Sequence, residues 1–283
     1  MYLLALSILF AGLEFSAIKI FKKLNINIVY SIIYSYPIAL LCSILFFRPN
    51  FTSNQDVLNM LPVLLPLGLF MLIVFIFIVL SVEKSGIIVS IVAQRLSLVI
   101  PVLYSLLIFK EKLSYLSLIG ILIAFIAIFL VMPVNGNNDV KQKSWLYPIG
   151  IFLGMGVIDI LYGHIAKNQS ISFDKALTIT FLVATISGPF IVKIFRKPAS
   201  FEFKTVVSGF ILGIINFGAI YFFTSALKYF HNTMAIVFVI QAIGVISLGL
   251  ILGTIIFGEK ITAKKLVGIL LAVIAIIILD VYK

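Results

Sequence analysis

Ten apolar runs, each near the length that crosses a lipid bilayer, follow one another along this sequence with only short polar breaks between them. A spanning helix takes about 20 such residues. The runs are Tyr2–Phe21, Ile28–Phe47, Val57–Val82, Gly86–Phe109, Tyr115–Met132, Trp145–Ile165, Ala176–Ile194, Val206–Leu227, Thr233–Phe257 and Lys265–Tyr282. No break is long enough to fold on its own in water, so the function has to reside within the bilayer. Composition agrees: 63% of the 283 residues are hydrophobic and 11% charged, where a soluble domain carries about 25% charged residues. A water-soluble fold is excluded, and disorder with it, since disorder needs low hydrophobicity. The first run has no basic residues ahead of it and no small-residue cleavage site, and it carries Glu14 near its centre. It reads as a retained helix and not as a cleaved signal.

One cysteine, Cys42, and two histidines leave no disulfide, no thiolate zinc site and no expectation of a metal or cofactor. The 21 Lys and Arg against 10 Asp and Glu give a formal charge of +11. In so apolar a chain that excess belongs in loops at lipid head groups, and no nucleic-acid partner is expected. The sequence has no nucleotide-binding P-loop, no His-Glu metal motif, no Gly-x-Ser-x-Gly elbow and no paired-Asp pattern. ATP-driven pumping and an intramembrane enzyme are both disfavoured on that ground.

The two halves of the chain match each other. Ile108–Val131 laid over Ile256–Leu279 gives 12 identities in 24 positions, including Glu111/Glu259, Lys112/Lys260, Gly120/Gly268 and Ala124/Ala272. Weaker matches pair Glu14 with Asp159, Lys19 with His164, Lys22 with Lys167 and Gln94 with Gln241. The expected organisation is a five-helix repeat over 1–133, a polar loop over 134–144 (VNGNNDVKQKS) and a second five-helix repeat over 145–283. Five is odd, so the second repeat enters the membrane from the opposite side. The fold class expected is thus an all-α integral membrane protein of ten transmembrane helices in two inverted repeats, a construction of many secondary transporters.

The motifs FKEKL (Phe109–Leu113) and FGEKI (Phe257–Ile261), each leading into an x-Gly-x-Leu helix, carry a resemblance. With SAIK (Ser16–Lys19) and ALKYF (Ala226–Phe230), they make the whole chain similar to the EamA-type members of the drug/metabolite transporter superfamily. The resemblance implies ten helices in two homologous halves, both termini inside, and a central cavity walled by helices one, three, four, six, eight and nine. The fifth and tenth helices would lie at the periphery. At Leu13–Glu14, where the family often has Trp-Gly, the chain resembles instead the small multidrug proteins of the same superfamily, whose first-helix Glu carries protons and cations.

Glu14, Arg95 and Asp159 lie well inside their runs. Each costs about 2.5–3.5 kcal/mol to insert if unpaired, so none belongs against lipid. Arg95 either clamps the halves in a fixed salt bridge with one acid or shares a wet transport site with both. Small and polar residues favour the site. Ser7, Ala11 and Ala17 share a face with Glu14, and Gly156, Tyr162 and Gly163 lie near Asp159. Ser90, Gln94, Ser97 and Pro101 stripe the fourth run. Gly209, Gly213 and Asn216 align in the eighth, and Gln241 with Gly244 in the ninth. Such stripes in several helices point to one shared cavity.

The three ionic groups sum to −1 when ionised, which suits a zwitterion, a cation or exchange against a proton. Arg95 is expected to pair with a substrate carboxylate, and Glu14 with Asp159 to take a substrate amine or the coupling proton. Tyr34, one turn after Tyr30, is a candidate to stack on a cationic group. Tyr30 itself fits an interfacial aromatic belt. His164 is a candidate proton relay, with an interfacial hydrogen-bonding role as the alternative. Pro62, Pro66 and Gly68 are expected to bend or break the third helix.

The expected function is secondary transport, in a cell (inner or plasma) membrane, exporting or exchanging a small polar metabolite such as an amino acid. The expected partners are that small molecule, the lipid bilayer and protons, with the chain a monomer or homodimer. Proton-coupled efflux of cationic drugs is the alternative; an intramembrane enzyme or a structural role stands further off. Orientation is pulled both ways. With the N-terminus inside, seven basic residues face the cytoplasm against thirteen outside, so the positive-inside rule prefers both termini outside, opposite to what the resemblance implies.

Overall fold

Continuous apolar sequence with few internal breakers leaves the backbone one way to satisfy its own polar groups in lipid, the helix. The computed structural model describes residues 1–50, 55–84, 87–131, 145–168, 171–195, 202–257 and 262–281, and among them it contains helices and no strand. The helices are α1 Tyr2–Lys23, α2 Ile28–Phe47, α3 Gln55–Lys84, α4 Ile87–Leu96, α5 Val99–Leu107 and α6 Tyr115–Val131. After the loop 134–144, which lies outside the described residues, come α7 Leu146–Lys167, α8 Phe173–Phe195, α9 Phe203–Tyr229, α10 Met234–Phe257 and α11 Ala263–Val281. Six segments are long and apolar enough to cross a membrane: α1, α2, Gln55–Ile78 of α3, α7, α9 and Met234–Ile256 of α10. Shorter apolar helices, among them Tyr115–Leu130 and Leu266–Val281, accompany them.

Nine of the ten expected runs coincide with one helix each, and the fourth is two. α4 stops at Leu96 and α5 starts at Val99. The cause is local. Pro101 has no N–H to give to the Ser97 carbonyl, and the chain tightens: Leu98 N–H donates to Arg95 O at 3.4 Å and Ile100 N–H to Ser97 O at 3.0 Å, both three residues back. The Ser97 hydroxyl donates to Gln94 O at 2.6 Å and helps hold the break. The third helix does not break, which corrects one half of the expected bend or break. α3 runs unbroken through Pro62 and Pro66 for 30 residues, because both prolines lie in its first half, where neighbouring helices and the remaining ladder hold it.

Close packing is glycine-led, as expected where the solvent is as apolar as the side chains and backbones must approach to gain contact. A Cβ on Gly213 of α9 would stand 2.5 Å from Ile38 Cβ and 2.7 Å from Ser35 O of α2. A Cβ on Gly68 of α3 would stand 2.6 Å from Val183 Cβ and 2.8 Å from Thr180 O of α8. All three positions of the first contact are 145 residues from their counterparts in the second. A looser correspondence recurs where Gly12 of α1 meets Leu248 of α10 and Gly156 of α7 meets Ile100 of α5, with offsets of 144 and 148.

These contacts also fix directions. Gly209 meets Tyr34 as Gly213 meets Ile38, so α2 and α9 run parallel. Ile8 meets Gly244 as Gly12 meets Leu248, so α1 and α10 do too. Gly150 meets Phe77 and Gly154 meets Val74, so α3 and α7 are antiparallel. α6 and α11 pack on each other, with Gly120 against Leu279, and α10 is their other main neighbour. Their outer faces, including Leu122, Phe129, Leu270 and Ile277, are exposed, which fits a peripheral position.

Buried hydroxyls tie the helices between the glycine seams. Ser31 and Ser208 are 2.6 Å apart between α2 and α9, Ser43 and Thr178 are 2.5 Å apart between α2 and α8, and Ser7 donates to Ala219 O at 3.2 Å between α1 and α9.

Candidate functional site

The fold sets α1, α4 and α7 around one interior region. Glu14 lies on α1 beside the Gly12 contact with α10, and Asp159 lies on α7 between Gly156, pressed on Ile100, and Tyr162. Arg95 is in the last turn of α4, just before the break at Ser97–Leu98. The guanidinium of Arg95 and the carboxylate of Asp159 are within electrostatic reach of each other. Tyr162 is within reach of Asp159, Glu14 and Tyr36 together, and Tyr36 is also within reach of Glu14. Both tyrosines are 4% exposed. The Tyr162 hydroxyl points at Met71 Sδ, 3.5 Å away, and its ring is edge-on to Phe223.

Arg95 and the acids do not form a closed salt bridge. Among the described residues, no carboxylate oxygen lies within ion-pair distance of Arg95, and its Nε is buried without a hydrogen-bond partner. Its guanidinium carbon sits 5.4 Å from the centre of the Phe15 ring instead. A fixed ionic clamp would have saturated the fork of donors; this arrangement leaves part of it open to an anion.

Residues 143–280 match the model of the EamA-like transporter family. An uncharacterized protein of Haemophilus influenzae is 36% identical over 266 residues, covering 92% of this chain and 90% of that one. The chain belongs to the EamA-like transporter family. A solved crystal structure of a protein with 11% sequence identity superposes at a TM-score of 0.80, covering 99% of this chain and 96% of its own, and attests the fold alone. As an EamA-like member of the drug/metabolite transporters, the chain is a multi-pass membrane protein concerned with moving small molecules across a membrane.

Within this EamA-like transporter the remaining candidates are dispersed. Gln94 precedes Arg95 on α4, Asn216 is 8% exposed on α9, and Gln241 on α10 has a buried Oε1 without a partner. Among the described residues no hydrogen bond links these three to the acids. Tyr34 packs into the α2–α9 seam, its Cβ 2.5 Å from where a Gly209 Cβ would be, with its ring 6.4 Å from that of Tyr30. Tyr30 is 4% exposed and thus inside the bundle, which corrects its assignment to a lipid-facing belt.

His164 accepts or donates at Nε2 with the Tyr104 hydroxyl at 2.9 Å and lies edge-on to Phe109. It is five residues beyond Asp159, about 7.5 Å along α7 and on another face, so it stands outside the acid cluster. A groove of about 730 Å³ between α2 and α8, lined by Leu40, Ile44, Arg48, Thr178 and Leu182 among others, is separate from the cluster as well. Among the described residues, no group of three His, Cys, Asp or Glu could hold a metal.

The residue that sequence reasoning missed is Tyr36. The i, i+4 pair Tyr30/Tyr34 drew attention to one face of α2, whereas Tyr36 is two residues on, about 200° around the helix. Tyr162 carried a usable signal, three residues after Asp159 on a neighbouring part of the α7 surface.

Proposed function

We propose that this chain is a secondary transporter that exports or exchanges a small polar metabolite with an amine and a carboxylate, such as an amino acid. Transport proceeds by alternating access between two inverted five-helix halves, ten crossings in all, in the cell membrane. The observation that carries the reading is the open guanidinium of Arg95 beside acids drawn from both halves, with the buried Tyr36 and Tyr162 close by. Arg95 takes the substrate carboxylate by paired N–H bonds. Glu14 and Asp159, the matched residues of the two halves, take the amine or exchange it for a proton. The inverted arrangement is supported by the 145-residue correspondence of the Gly68 and Gly213 contacts and by the alternation of helix directions.

A carrier of this kind needs no reacting nucleophile and no cofactor, and we assign the chain no enzymatic step. Efflux of permanently cationic drugs is the second reading, favoured by the aromatic rings of Phe15, Tyr36 and Tyr162 around two carboxylates. Arg95 beside them repels a bare cation and weighs against it.

Flux in proteoliposomes with Glu14→Gln, Asp159→Asn and Arg95→Met tests the assignment. Each variant is expected to lose most of the exchange, with pH dependence altered in the two acid variants. Undiminished exchange in all three would refute it. Counterflow with amino acids against quaternary amines separates the two readings.

A further inference from the structure

The Phe-x-Glu-Lys motif is the most specific short pattern in the sequence, and the transport site above makes no use of it. Its glutamate, Glu111, lies between α5 and α6. After α5 the chain doubles back at Lys110, whose φ is 53°, and Glu111 N–H donates to Ser105 O at 3.1 Å. The side chain then reaches the start of α10: Met234 N–H donates to Oε1 and Ala235 N–H to Oε2, both at 3.0 Å. Glu111 is 8% exposed and Met234 and Ala235 are fully buried.

The same stretch is tied to α7. Lys167 Nζ donates to Phe109 O at 3.2 Å and stands 4.4 Å from the Phe109 ring, and Tyr104 bonds His164. A Cβ on Gly163 would stand 3.2 Å from Phe109. The end of α5, the end of α7 and the start of α10 are thereby drawn into one plug. Going inward from it, α7 carries Asp159, α10 carries Gln241, and α4, in line before α5, carries Arg95.

A helix start has free N–H groups, and the residue just before the helix usually satisfies them with its own side chain. α10 has a suitable residue there, Thr233, and among the described residues its hydroxyl makes no hydrogen bond. The cap comes instead from 123 residues away. α10 therefore has two alternative caps, one that ties it to the α5–α6 stretch and one that does not.

We propose that Glu111 is the latch of a gate: it seals the α5–α7–α10 end of the substrate path, and the path opens there when Glu111 releases α10 and Thr233 takes over the cap. The latch rests on the transport reading above. The Thr233 hydroxyl can take over one of the two N–H groups that Glu111 satisfies, that of Ala235, so opening leaves only the Met234 N–H to be met by entering water. Lys167 and the His164–Tyr104 pair close the same end from the α7 side.

The test uses the full chain in nanodiscs with Cys42→Ser, which removes the one native thiol, and Met234→Cys as a reporter beneath the latch. A charged maleimide reads how often that end opens. Glu111→Ala is expected to raise the labelling rate about tenfold, and Thr233→Val to lower it severalfold by denying the open state its cap. A folded Glu111→Ala protein that labels at the parent rate would overturn the latch. So would an unchanged rate in Thr233→Val, whose hydroxyl bears no bond in the closed form and whose loss spares folding; that variant decides alone if Glu111→Ala does not fold. Labelling needs no substrate, so absence of amino-acid exchange with a responsive latch would overturn only the substrate assignment.

Discussion

Arg95 holds its guanidinium carbon 5.4 Å from the centre of the Phe15 ring, and Phe15 is the residue next to Glu14. The ring of one helix thus orients the cation of another at the point where the acids gather. A cation over an aromatic face gains about 0.5–1 kcal/mol where solvent remains and more where it is excluded.

Phe15→Leu should therefore loosen Arg95 without disturbing the bundle. About 0.5–1 kcal/mol corresponds to a two- to fivefold rise in the KM for exchange. Phe15→Tyr should restore it. Titrating counterflow rate against substrate concentration for the three proteins makes the measurement.

Tyr36 and Tyr162 are expected to matter because both are buried within electrostatic reach of the acids. Tyr162→Phe removes the hydroxyl that donates to Met71 Sδ beside the acids and should slow exchange severalfold, the scale of a lost neutral hydrogen bond of about 1 kcal/mol. Tyr229→Phe, on the exposed end of α9, keeps its ring and should leave the rate unchanged. Initial rates of uptake into proteoliposomes distinguish the two.

Gly68→Ala and Gly213→Ala each drive a methyl into backbone and a β-branched side chain at under 3 Å. Overpacking of this kind costs about 1–3 kcal/mol, and the matched geometry calls for matched losses of thermal stability in detergent. Gly249, with nothing within 4 Å of its missing Cβ, should accept alanine and gain up to about 1 kcal/mol from helix propensity.

Burial pushes the carboxyl of Glu111 above the usual glutamate range, while the N–H groups of Ala235 and Met234 and the nearby Lys167 pull it part of the way back. A carboxyl whose folded value is raised binds its proton more tightly in the folded state. Its contribution to stability is therefore complete below about pH 4, the unfolded value, and is lost as pH rises through the folded value. The stability advantage of the native protein over Glu111→Ala should accordingly be larger at acid pH and narrow toward neutrality. Thermal unfolding of both proteins across that window tests the sign.

The architecture was legible because lipid allows so few solutions: a run of apolar residues near 20 long can only be a helix, and helix ends fell within a few residues of the expected ones. Pro101 shows where such reading stops. Its effect on Ser97 and Leu98 divides one run into α4 and α5, while Pro62 and Pro66, equally visible in α3, break nothing, because neighbours and position decide what a proline does. The ionic residues announced themselves by their cost in lipid. Tyr36 did not, since a tyrosine is unremarkable in an apolar helix until its neighbours across the bundle are known. Glu111 was prominent as half of a matched motif, yet its partners, two backbone N–H groups at the start of α10, have no side-chain signature for sequence comparison to find.

The glycine seams have a bearing on how the protein is made. α1 packs on α9 and α10, α2 on α8 and α9, and α3 on α7 and α8, so the helices synthesised earliest find their main neighbours among those synthesised last. A ribosome that has delivered residues up to α6 has released a set of spans whose serines and glycines still face lipid, waiting for partners not yet translated. Assembly must then be largely post-insertional, and a nascent chain cut short before α9 would be a natural target for membrane quality control.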